Sequence, residues 1–214
     1  MKKIVFASIF ALLMSASSLL AKDYVTKTVE IDDFNAITCN VPCEINYTPG
    51  AVKCVVTVPE KIENDLSFEV KDGELEISLK ASKYIKAFKI TVNLSSDSLE
   101  AVNLNGAVNF DAEEGIKARN FGASMNGASS LEIDGLKTKD VEVTVNGTGK
   151  VEIEKLKSNF VKVTVNGAGG CELEGQSDKA DLTVNGVGRI DITDLKCDSI
   201  NSSVNGIGSI SRSK

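Results

Sequence analysis

Residues 141–167 read VEVTVNGTGKVEIEKLKSNFVKVTVNG, and this stretch decides how the chain folds. Val141, Val143 and Val145 alternate with polar residues and run into Asn146-Gly147. Val151 and Ile153 then alternate again, and Val161, Val163 and Val165 lead into a second pair, Asn166-Gly167. Alternation with period two is a strand signature, with the apolar residues on the buried face. The motif extends in both directions. Asn-Gly stands at Asn105-Gly106, Asn126-Gly127, Asn146-Gly147, Asn166-Gly167, Asn185-Gly186 and Asn205-Gly206, with spacings of 21, 20, 20, 19 and 20. A further apolar position, ten residues after the Asn, holds Leu136, Leu156 and Leu195, with Gln176 as the exception.

Asn-Gly is a common hairpin dipeptide, so a meander of hairpins is one reading. Reversing strands gain nothing from a residue-for-residue repeat, whereas stacked coils turn equivalent positions into columns ~4.8 Å apart. The expected fold is therefore all-β: a parallel β-helix, or β-solenoid, with about 20 residues per coil and Asn-Gly-x-Gly as a corner where glycine allows positive φ. The six Asn and their glycines are assigned a structural role, the Asn amides bonding from coil to coil. Two positions earlier lies a hydroxyl column of Ser124, Thr144, Thr164, Thr183 and Ser203. Cys171 falls in an apolar column, and Cys197 aligns with Thr138 and Ser158 at a corner that should be exposed.

The chain divides into three parts: 1–21, 22–98 and 99–214. Lys2 and Lys3, an apolar run over 4–13 and small residues leading to Ala21 form a secretory signal pattern, with cleavage expected after Ala21. No later segment is expected to span a membrane as a helix. Without those 21 residues, 22 basic face 30 acidic residues, a net charge of −8 that disfavours nucleic acid and anionic membrane as partners. Segment 22–98 carries strand patterns at 43–48, 54–58, 66–71, 74–80 and 89–94, turns at 48–50 and 71–73, and one helical turn within 59–66. It should supply opening coils and a cap, because a solenoid's first edge needs cover. Five cysteines are present. Cys39, Cys43 and Cys54 are close enough in sequence for one bridge, and Cys43 and Cys54, which flank the turn signal Thr48-Pro49-Gly50, are the candidate pair across a hairpin.

The signal segment, Phe34-Asn35-Ala36-Ile37, the Asp72-Gly73-Glu74-Leu75-Glu76-Ile77 run and the serial Asn-Gly-x-Gly turns resemble the auto-transporter adhesin "head GIN domain" family over residues 30–210. The resemblance implies a right-handed β-helix shaped like pectin-lyase folds but without their catalytic residues, and a role in cell adhesion. The chain departs in using Asn-Gly where Ser-Gly is common, and in ending at Ser211-Arg212-Ser213-Lys214 with no translocator, which argues against self-transport.

The chemistry available is narrow. With no His in the chain, Ser-His-Asp and Cys-His sites are excluded. Each Gly-x-Gly precedes a strand pattern and not a helix, which removes the phosphate-loop reading. Glu132, Glu152, Glu172 and Asp191 should form an outward acidic column, flanked by Asp134, Glu154 and Glu174. Such stacked charges need an offset, either the column of Lys137, Lys157 and Lys196 or bound Ca²⁺, for which those four carboxylates are the candidate ligands. No catalytic residue and no cofactor is assigned. The expected function is a non-enzymatic, exported adhesion or protein/glycan-binding module of the cell envelope, periplasmic, at the outer-membrane surface or secreted. The alternatives are a polysaccharide-active enzyme using paired carboxylates and a structural protein associating edge to edge into homo-oligomers.

Overall fold

The computed structural model describes residues 24–80 and 89–213, so the signal pattern over 1–21 lies outside the described residues. The repeat winds as a β-solenoid. One coil comprises β11 (Asn120–Gly127), which ends at the Asn-Gly corner, then β12 (Ser130–Ile133) and the short β13 (Leu136–Lys137), before β14 (Asp140–Gly147) starts the next. Below this coil lie β8 (Ala101–Gly106), β9 (Val108–Ala112) and β10 (Ile116–Lys117). Above it, β15 (Lys150–Gly167) and β16 (Gly170–Gly186) run almost unbroken round their corners, and β17 (Arg189–Ile192), β18 (Leu195–Gly206) and β19 (Ser209–Arg212) complete the stack.

Every contact between successive repeat coils is parallel, and register shifts only at the second corner. Val143 lies over Ala123 and under Val163, and Asn146 over Asn126 and under Asn166. The hairpin meander is thereby excluded, and the Asn-Gly pairs are corners. The inward positions stack into one core, with Val143, Val145, Val163, Val165 and Ile153 fully buried. Each such side chain contributes roughly 1.5–3 kcal/mol by leaving water, which is why β-branched aliphatics suffice where aromatics are few.

Both departures from a 20-residue coil fall at the second corner. The first coil keeps three residues between Ala112 and Ile116, and the next keeps two between Ile133 and Leu136. In the 19-residue coil Leu156 lies under Gly175, and Gln176 stands in register with Lys157 and Lys196. Gln176 is therefore not a polar exception in the leucine column: one residue is missing before it, and Gly175 takes the leucine's place. This corner points to solvent, so a residue can be gained or lost there without shifting the core.

The N-terminal strands are β1 (Tyr24–Thr28), β2 (Ala36–Cys39), β3 (Cys43–Pro49), β4 (Lys53–Pro59), β5 (Leu66–Lys71), β6 (Glu74–Leu79) and β7 (Thr91–Ser96), with a 3₁₀ turn at Glu60–Ile62. The 71–73 turn is a tight hairpin with positive φ at Asp72 and Gly73. Chain order and stacking order differ here. β2 and β3 lie between β6 and β7 on one side and β8 and β9 on the other, all parallel. Beyond them β5 runs antiparallel to β6, β4 antiparallel to β7, and β1 antiparallel to β4. The reversal covers the end of the stack with strands that cannot extend the parallel winding.

Two cysteine expectations are corrected. β7 lies between β3 and β4, so Cys43 and Cys54 do not face each other across a hairpin; the Cys43 sulfur is 3.3 Å from that of Cys39. The corner holding Cys197 is also not an exposed one. Thr138 and Ser177 in its column are buried, each donating its hydroxyl to the carbonyl two residues on, and Cys197 repeats the contact to Ser199 at 3.3 Å. Cys197 is half-exposed because it sits in the last coil, whereas Cys171 is buried in the core column with Val151 and Ile190.

Candidate binding surface

The Asn-Gly corners are built by two requirements acting together. Each glycine after an Asn has φ between +108° and +137°, and from Gly127 onward a Cβ would meet the preceding glycine's carbonyl oxygen at 2.3–2.7 Å. Glycine is needed both for backbone conformation and for the closeness of the coils. The preceding Asn side chains form a continuous ladder. The Nδ2 groups of Asn126, Asn146, Asn166, Asn185 and Asn205 donate to the Oδ1 of the Asn below at 2.8–2.9 Å. Asn105 extends it to Asn40 at 2.7 Å, and Asn40 donates to Glu76 at 3.1 Å. Asn40 was not visible as a rung because its corner has no Asn-Gly and it stands 65 residues before its neighbour.

On the strand face leading to this edge, Ser124, Thr144, Thr164, Thr183 and Ser203 stack in register, continued by Asn103 and Thr38. Among the described residues those five hydroxyls make no hydrogen bond, whereas Asn103 donates to Thr38 at 3.1 Å. Beside them runs a mixed column in which Lys162 pairs with Glu142 at 2.7 Å and Asn201 donates to Asp181 at 2.9 Å. A shallow groove of about 320 Å³ lies between these rows, and one of about 540 Å³ lies on the far side of the mixed column, lined by Phe121, Val141 and Phe160 among others. The face is flat, polar and almost neutral along its length.

The second face carries the acidic column as expected: Glu132, Glu152, Glu172 and Asp191 are in register, and Asp111 extends it downward. Two of its carboxylates, Glu152 and Asp191, have basic partners outside the Lys137, Lys157 and Lys196 column. Lys150 and Arg189, two residues before Glu152 and Asp191 on the same strands, pair with them directly. The hydrogen bond to Glu152, with Glu172 and Glu132 near, holds the Lys150 ammonium above its usual pKa. Asp191 is held low, first by the Thr193 hydroxyl at 2.6 Å and also by Arg189. Glu174 is pushed up by desolvation and then by Glu154 and Asp194. Among the described residues no three acidic or cysteine side chains converge as a metal site, because successive carboxylates point outward side by side. Lys137, Lys157 and Lys196, with Lys117, form their own column on the third side. There a groove of about 470 Å³ is lined by Tyr47, Ile116, Leu136 and Lys155 among others.

A winding of repeated Asn-Gly corners with laddered faces defines a repeat β-solenoid. The sequence profile of the family described as "Putative auto-transporter adhesin, head GIN domain" matches residues 33–154 and again 122–212, and the chain belongs to that family. The double match reflects the internal repeat. Among solved structures, a "putative adhesin" of Bacteroides fragilis has a TM-score of 0.72 at 21% identity, covering 90% of this chain and 98% of its own. A "putative lipid binding protein" of Parabacteroides distasonis reaches 0.77 at 21% identity over 91% and 98%. A "putative adhesin" of Parabacteroides merdae reaches 0.58 at 21% over 91% and 98%. At such identities the likeness is one of fold. No curated protein matches the sequence. Among the described residues no helix is long and apolar enough to cross a membrane.

Proposed function

We propose that the chain is a non-enzymatic, exported adhesion module of the cell envelope that meets a surface protein or glycan through its hydroxyl face. The observation that carries this reading is the column of five hydroxyls with no hydrogen bond among the described residues, repeated once per coil beside the amide ladder. A ligand with hydrogen-bonding groups along its length gains from such a row, one contact per coil. The acidic face suits this less, because Lys150 and Arg189 already engage two of its carboxylates, Glu152 and Asp191. The family's adhesin description and the signal pattern over 1–21 support export.

The test is binding of the mature chain to arrayed glycans and to envelope proteins of its own cell. Thr164→Arg with Thr183→Arg should weaken the best interaction by about tenfold, ~1.4 kcal/mol, while Glu132→Gln leaves it unchanged. The reverse pattern would reject the hydroxyl face. Polysaccharide turnover abolished by replacing two carboxylates would reject the non-enzymatic reading. A chain in the envelope fraction beginning at Lys22 is the expected sign of export.

A further inference from the structure

The ladder turns a corner without glycine only at Asn40, where the sequence is Cys39-Asn40-Val41-Pro42-Cys43. In the later coils, the residue just before the Asn and the residue three after it approach each other inside the corner. A Cβ on Gly149 would lie 2.8 Å from Met125 Cε. On Gly169 it would lie 2.6 Å from Val145 Cγ1, on Gly188 2.5 Å from Val165 Cγ1, and on Gly208 2.4 Å from Val184 Cγ1. Glycine occupies the second position because the first position's side chain from the coil below fills that space. Cys39 is in register with Leu104 and Cys43 with Val108, so the two cysteines hold these same facing positions within a single coil. Both are buried, and their sulfurs are 3.3 Å apart with no room for an atom between them. Cys54, also buried, sits on β4 with β7 between it and β3.

We propose that Cys39 and Cys43 form a disulfide that staples this corner, doing for the first ladder rung what the glycine contact does from Asn146 onward. A rotation about the side-chain bonds brings sulfurs at this separation to bonding distance, and Pro42 holds the intervening backbone in a narrow φ range. The oxidant is an exchangeable disulfide such as glutathione disulfide. One cysteine thiolate attacks a glutathione sulfur and releases the first glutathione. The other cysteine then attacks the protein-bound sulfur and releases the second. The two cysteines are oxidised, glutathione disulfide is reduced to two thiols, and the two protein thiol protons end on them. Once formed, the bond is buried away from reductant.

The experiment refolds the full chain from reduced denaturant in a glutathione redox buffer, quenches with acid, alkylates free thiols in denaturant and digests with trypsin. Cleavage after Lys27 and Lys53 places Cys39 and Cys43 together in peptide 28–53 and Cys54 in peptide 54–61. The expected result is peptide 28–53 two hydrogens lighter than its reduced form and carrying no alkyl group, with Cys54 alkylated. Peptide 28–53 joined to 54–61, or fully alkylated in chain that has regained its β-sheet spectrum, would overturn the proposal.

Discussion

Gly167→Ala will lower the stability of the chain by about 3 kcal/mol, seen as an earlier midpoint in urea and a melting temperature lower by roughly 10 °C. Two costs act at this residue. Its φ of +125° is one that a side-chain-bearing residue adopts only under strain, and an added Cβ would stand 2.7 Å from the Gly147 carbonyl oxygen. Relief by moving the corner outward would lengthen the backbone bond from Ala168 to Gly147, now 2.9 Å, and pull the amide rungs apart. Gly170, three residues on, supplies the control. A Cβ there meets only the Arg189 carbonyl at 3.8 Å, and its φ lies outside the range closed to side chains. Gly170→Ala should therefore change stability by less than about 0.5 kcal/mol. Equal losses at the two positions would mean that the corner is not where the coils are closest.

Asn166→Ala comes next in size. The amide donates to Asn146 and accepts from Asn185, both at 2.8 Å, so truncation removes two hydrogen bonds and leaves an unmatched group on each side. At 0.5–1.5 kcal/mol for each bond, the expected loss is about 2 kcal/mol. Asn205→Ala at the ladder's end removes one bond on an exposed coil and should cost about 1 kcal/mol or less. This position dependence is specific to a ladder. Asparagines serving only their own turns would lose similar amounts wherever they stood. Both comparisons are best read from urea midpoints, because a stack of nearest-neighbour coils can fray from its ends before the middle melts.

The repeat coils were legible because each column obeys a rule the sequence displays directly. Val143 and Val163 are interchangeable inward residues, and Gly147 and Gly167 are interchangeable corners. Features that depend on which coil lies beside which were not legible in the same way. Asn40 joins the ladder through strand pairing across 65 residues, with no glycine to mark it. The placement of β2 and β3 in the middle of the N-terminal strands follows from antiparallel β4 and β5 covering the end, an arrangement with no periodic signature. Cys43 and Cys54 flank a turn signal, yet β7 comes between their strands, so local spacing suggested a contact that topology removes. The acidic column shows directly in the sequence, whereas its partners Lys150 and Arg189 do not. Lys150 and Arg189 occupy a mixed column with Asn109, Ser130, Gly170 and Ser209, and so show no pattern of their own.

What links this architecture to adhesion is regularity. A partner meeting one coil's hydroxyl and amide meets the same pair again one strand spacing further on, so weak contacts add along the axis. The corners keep that spacing constant, and the second corner absorbs the residues gained or lost. The proposed function therefore depends on the stacking itself more than on any single side chain.

Pulsed electron paramagnetic resonance on spin-labelled pairs in the hydroxyl column tests that stacking most directly, with Cys197→Ser removing the half-exposed native thiol. Ser203 lies four coil steps from Ser124 and six from Thr38. At ~4.8 Å per step, the account predicts separations of roughly 19 Å and 29 Å. Distances that do not grow with the number of steps, or a Thr38 pair closer than the Ser124 pair, would contradict it.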